Sequence, residues 1–97
     1  MRYRHFAVIL TDALAIAEVE PRSAAELLGY SSPGMVMMWM EGKHLPPLES
    51  LPEVASISGA DPRMLLAGWL IDSAPSLQPH VHDMIKGLGL DASGFSG

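Results

Sequence analysis

A glycine between two helix-forming runs leaves this chain little choice of fold. From Ala24 to Pro47 it reads as a short helix, a tight turn and a second short helix. Ala25, Leu27 and Leu28 are good helix formers. Gly29 follows them and can enter the left-handed region that ends a helix. Tyr30 is an apolar plug after the turn. Ser31 and Ser32 are candidate N-caps, and Pro33 suits a first helical position. Val36, Trp39 and Met40 recur at i, i+3 and i+4, which predicts one buried face on a helix from about Ser32 to Glu41. Gly42 stops that helix, and Pro46-Pro47 forbids its continuation.

The rest of the chain is punctuated in the same way. Phe6, Ile9, Leu10, Ala13, Ile16 and Ala17 form an apolar stripe at helical spacing, which predicts a first helix over 4–19. Pro21 opens a second helix that runs to Leu28. Residues 43–49 read as a loop. Ser50-Leu-Pro-Glu53 is a candidate capping box for a fourth helix, which carries Leu51, Val54, Ala55 and Ile57 and stops at Gly59. Asp61-Pro62 starts a fifth helix with an acid cap and a proline in the first turn. Pro75 interrupts the chain. Val81, Met84, Ile85 and Leu88 then suggest a short sixth helix, and the Gly- and Ser-rich segment 91–97 reads as a mobile tail. No stretch alternates as a strand does. The expectation is an all-α, compact bundle of five or six helices.

At 97 residues the chain is one domain with a modest core. It has no cysteine, so disulfides and thiolate metal sites are excluded. No apolar run approaches the ~20 residues of a membrane span. The basic start, Met1 to His5, is followed by an apolar run that Thr11-Asp12 breaks, unlike a secretory signal. A cytoplasmic protein with no membrane contact is expected. Net charge is -5, from six basic and eleven acidic residues, which argues against a strong nonspecific nucleic-acid binder. Distribution counts for more than the sum. Arg2, Arg4, Arg22 and Lys43 all lie in segments that would flank the two central helices.

Two short helices meeting at a glycine turn have the geometry of a helix-turn-helix. The string Ala25-Glu-Leu-Leu-Gly29, Tyr30, Ser31-Ser32, Val36, Trp39, Gly42-Lys43-His44 and Pro46 resembles the lambda repressor and Cro-like helix-turn-helix family. The resemblance continues through Val54-Ala55 and Gly59 to Leu65-Leu66. It implies a helix-turn-helix domain over 1–72, beyond which the residues themselves suggest a helical extension over 73–90, as a dimer contact, and the tail over 91–97. It further implies a sequence-specific regulator that binds double-stranded DNA, with the third helix in the major groove. Arg22, Ser23, Ser31, Ser32, Lys43 and His44 would then face the DNA backbone, with Gly34, Met37 and Met38 among the base-reading positions. Three departures from the family pattern stand out. The turn-to-Gly42 interval is one residue longer. Met40 replaces the glutamate that normally follows the tryptophan. The base-reading positions hold Pro33, Gly34, Met35, Met37 and Met38 where the family often carries polar residues.

Methionine cannot make the bidentate hydrogen bonds that identify a guanine or an adenine. It can contact a thymine methyl, or pack adaptably on another protein. Met35 and Met40 read as core filler, and Met37 and Met38 as outward-facing. The alternative function is therefore a protein-interaction module on the same fold, with the methionine face as its contact. Met64, Leu65, Leu66, Trp69 and Leu70 exceed a narrow stripe. The expected surplus suggests a homodimer contact through Leu65, Trp69, Leu70, Val81, Ile85 and Leu88. No enzyme site, cofactor or metal site is predicted. The histidines of His80-Val-His82-Asp83, two apart on a helix, would not share a face. Gly87-Leu-Gly89 lacks the length and preceding strand of a phosphate loop.

Overall fold

Glycines and prolines mark most of the helix boundaries in residues 2–73, the part of the chain that the computed structural model describes. Five α-helices follow one another: α1 (Arg4–Ala17), α2 (Pro21–Leu27), α3 (Gly34–Met40), α4 (Leu51–Ser58) and α5 (Pro62–Ser73). A 3-10 turn over Leu48–Ser50 leads directly into α4. There is no strand among the described residues. The sixth helix, the tail, the His80–Asp83 cluster and the Gly87–Gly89 stop all fall outside them.

The helix stops use one device repeatedly. After α2, Gly29 takes φ +88°, its N–H donates to Glu26 O, and the Tyr30 N–H donates to Ala25 O at 2.9 Å. After α3, Gly42 takes φ +72°, its N–H donates to Trp39 O, and the Lys43 N–H donates to Met38 O. Both are paired 5→2 and 6→1 closures that satisfy carbonyls a helix end would otherwise leave open. The same pair closes α1, where Glu18 N donates to Ala15 O and Val19 N to Leu14 O. There the left-handed residue is Glu18, at φ +57°, and not a glycine. This closure ends α1 at Ala17 and leaves Glu18 and Val19, which the predicted helix included, outside it.

The caps at the helix starts differ from expectation. Neither Ser31 nor Ser32 caps α3, whose first residue is Gly34 with Pro33 in the cap position. The Ser50–Glu53 capping box does not form. The 3-10 turn already holds Ser50 in helical conformation, and its hydroxyl donates back to Pro47 O at 2.7 Å. The Asp61 cap of α5 does form, with Asp61 Oδ1 accepting from the Arg63 N–H at 2.9 Å.

The core joins Phe6, Leu10 and Leu14 of α1 to Ala24 and Ala25 of α2, Val36 and Trp39 of α3, Leu51, Val54 and Ala55 of α4, and Leu65 of α5. Phe6 and Leu65 have no exposed surface. Full burial of side chains this large contributes about 1.5–3 kcal/mol each. The face of α1 that enters the core is rotated from the predicted stripe. Leu14 and Ala7 are buried, whereas Ile16 is 85% exposed and Ala17 is also exposed. Apolar residues lie on nearly every side of this helix, so spacing alone does not choose among its faces.

α1 and α5 pack closely at Gly68. A Cβ there would stand 3.0 Å from Ile9 Cδ1 and 3.4 Å from the Phe6 backbone nitrogen. The carboxylate of Asp72, one turn further along α5, accepts the N–H groups of His5 and Phe6. It supplies from a distance the cap that Tyr3 does not provide. The Thr11 hydroxyl donates to Met40 O at 3.4 Å and ties α1 to α3.

Of the α5 residues expected to form an apolar surplus, one is taken up by the core and the others keep part of their surface exposed. Leu65 is wholly buried, and Trp69 and Leu70 are partly buried. The Trp69 indole N–H donates to Pro46 O at 2.8 Å. Leu65 therefore belongs to the core of its own chain. Val81, Ile85 and Leu88, the other half of the predicted dimer contact, lie outside the described residues. The large apolar side chains that do remain exposed sit chiefly on α1 and α3. No helix among the described residues is long and apolar enough to cross a membrane.

Candidate functional site

Three elements build the candidate surface: α2, the Gly29 turn and α3. Their relative placement is set from inside. Val36 and Trp39 are each 1% exposed and point into the core. Tyr30 leaves the turn and meets the Trp39 ring edge-on, with centroids 5.9 Å apart and planes at 74°. Aromatic rings prefer this geometry because the positive edge of one faces the negative face of the other. Met40 packs partly buried against the core. With one face so anchored, α3 turns the rest of its surface to solvent.

That surface consists of methionines. Met37 is 43% exposed, Met38 38% and Met35 42%. Met37 and Met38 lie as the sequence predicts. Met35 does not, for it is no core filler. It stands roughly a quarter-turn from the centre of the buried Val36–Trp39 face, and a seven-residue helix has no neighbour to cover that flank. The side chains of α3 include one nitrogen and no oxygen. That nitrogen, Trp39 Nε1, is buried without a hydrogen-bond partner.

Polar groups gather at both ends of this helix. At its start, Arg22, Glu26, Tyr30, Ser31 and Ser32 border a small cleft of about 170 Å³. Arg22, Ser23, Ser31, Ser32 and Gly34 are all exposed. At its other end the Tyr3 N–H donates to Gly42 O at 2.9 Å, which brings the N-terminal strand of chain against the α3 stop. The Arg2 guanidinium lies 5.3 Å from the Tyr3 ring centroid, a cation–π contact. Arg2 thus adjoins in sequence the residue that meets Gly42, and Lys43 and His44, which follow Gly42, are both exposed. Arg4 is exposed at the start of α1.

Two acids modify the positive character. Glu26 shares the cleft with Arg22. Glu41 Oε2 lies 2.8 Å from Lys43 Nζ. The hydrogen bond to Glu41, and then its charge, raise the Lys43 pKa above its ordinary value. Lys43 stays cationic, but any phosphate must compete with Glu41 for it. The sequence reading did not foresee this pair. Residues two apart do not face each other on a helix, and only the turn at Gly42 lets Lys43 fold back.

Among the described residues no group of three or more acidic or histidine side chains is placed to hold a metal ion. Fold and surface together define an all-α domain that displays a methionine-faced helix between two polar, partly cationic ends. The chain matches no known protein family, curated protein or solved structure.

Proposed function

We propose that this chain is a sequence-specific DNA-binding regulator in which α2, the Gly29 turn and α3 act as a helix-turn-helix. The observation that carries this reading is the flanking of α3. Its exposed face has Arg22, Ser31 and Ser32 at one end and Arg2, Lys43 and His44 at the other. A seven-residue helix is about 10 Å long, which suits a major groove about 12 Å wide with a phosphate backbone on each side. The cations hold phosphates and set register, while the helix contacts bases. With methionines outward, base contact is apolar, and a thymine methyl is its natural target.

The test is binding to native DNA fragments from around its own coding region across a range of salt. At most ~4 cationic contacts give a log–log salt slope of about -3 to -4 per subunit, and twice that for a homodimer. If no native DNA shows salt-sensitive binding at low ionic strength, this reading fails.

A second reading has its own observation. The exposed side chains of α3 offer no hydrogen-bonding group, and the nearest lysine already has a carboxylate partner. A methionine surface of this kind suits an adaptable protein contact. A Met37→Glu variant that stays folded but loses a protein partner, while DNA binding is absent from the start, favours this alternative.

A further inference from the structure

One cavity of the described chain shares no residue with the α2–α3 surface. It is an apolar groove of about 520 Å³ between the outer side of α1 and the α4–α5 junction. Val8, Ile9 and Ile16 form its α1 wall and Met64 its opposite wall, with Asp12 and Asp61 on it as the acidic groups. Val8 is 47% exposed and Ile16 85% exposed. Two large aliphatic side chains open to water on one helix face are a surface that binding would cover.

Where the described chain stops bears on what covers it. α5 ends at Ser73. Its preceding residue, Asp72, is fastened to the first turn of α1 through the N–H groups of His5 and Phe6. The chain therefore continues from a point beside the start of α1, close to one helical turn before Val8. Residues 74–97 follow. Within them Val81, Met84, Ile85 and Leu88 recur at i, i+3, i+4 and i+7, the spacing of one helical face.

The lengths agree. From Val8 to Ala17 the groove follows α1 for ten residues, nine rises or about 13 Å of helix. From Val81 to Leu88 is eight residues, seven rises or about 10 Å if helical. The six residues from Ala74 to Pro79 can reach up to about 20 Å, more than enough to bring the start of that stretch to the groove. A tether this short also gives an effective concentration on the order of millimolar. A separate molecule at micromolar concentration competes poorly with that.

We propose that the α1 groove is the docking site of the chain's own 81–88 segment, which covers Val8 and Ile16 with Val81, Ile85 and Leu88 in the same molecule. This assigns those three residues an intramolecular partner and leaves the proposed DNA surface untouched.

The absence of cysteine from the sequence makes a site-directed label clean. Arg63 is exposed and lies next to groove residue Met64. A nitroxide on Arg63→Cys in the full chain should bleach most of the amide signal intensity of residues 81–88, equally at low and high protein concentration. Ile16→Asp should restore that intensity. Because Ile16 is so exposed, this variant keeps its helical circular dichroism, which serves as the folding control. Unbleached signals in the labelled monomer would overturn the proposal. Bleaching seen only when labelled protein is mixed with unlabelled, isotope-enriched protein would also overturn it, and would assign the groove to a second copy.

Discussion

Asp72, near the end of α5, accepts a hydrogen bond from the backbone N–H of Phe6, near the start of α1, with Oδ2 and nitrogen 2.7 Å apart. Its other oxygen lies 3.3 Å from His5 N and 2.9 Å from His5 Nδ1. The carboxylate is buried, and the donors it meets are those a helix start leaves free. It also sits at the positive end of the α1 dipole. One side chain therefore caps the first helix and locks the last described one onto it.

Asp72→Ala is expected to lower stability by about 2–3 kcal/mol, because hydrogen bonds to a charged group are lost and two amides are left without their acceptor. In a domain of this size that is a fall in Tm of roughly 10–20 °C. His5→Ala should cost far less, since the His5 side chain is 47% exposed and the Phe6 bond survives. Thermal denaturation of the two variants side by side checks this. Equal losses would contradict the capping role.

Glu18 occupies a left-handed conformation that a glycine adopts without strain. Glu18→Gly should therefore raise stability by about 0.5–1 kcal/mol, net of the greater freedom glycine gives the unfolded chain. Urea unfolding measures it. A loss would mean that the glutamate side chain makes a contact that outweighs its backbone strain.

The two tryptophans should respond differently to phenylalanine. Trp69→Phe leaves the buried Pro46 carbonyl without its donor, at a cost of about 1–3 kcal/mol. Trp39 Nε1 has no partner to lose. Trp39→Phe should thus pay only for lost volume, whereas Trp39→Ala should cost about 3–5 kcal/mol. Chemical denaturation of all three variants distinguishes the cases.

If DNA is the partner, Arg22→Ala and Lys43→Ala should each weaken binding to all sequences and reduce the salt slope by about one. Met37→Ala should alter sequence preference and leave the slope unchanged. Glu41→Gln should release Lys43 and tighten binding by about two- to fivefold, the scale of an exposed ion pair. Fluorescence anisotropy at several salt concentrations reads all of these.

Where α2, α3 and α4 stop was legible in the chain before any packing was known, whereas the stop of α1 at the left-handed Glu18 was not. Gly29, Gly42 and Gly59 all take positive φ, and Pro21 and Pro62 both open helices. These effects are local, because a residue's own sterics decide them. The inward set of Val36 and Trp39 was equally legible, since α3 has only one pair of non-methionine apolar side chains to bury. What a helix turns toward its neighbours was legible only where its composition was lopsided. α1 is apolar on almost every side, so only contact with α3, α4 and α5 selects Leu14 for the core and leaves Ile16 outside. Met35 is exposed for a related reason, for no other element reaches that flank of a short helix. The Asp72 cap joins residues 66 and 67 positions apart, and no spacing rule spans that interval. Periodicity and capping signals act over a few residues, whereas the orientation of faces and the satisfaction of buried polar groups are settled by whichever chain segment tertiary packing brings alongside.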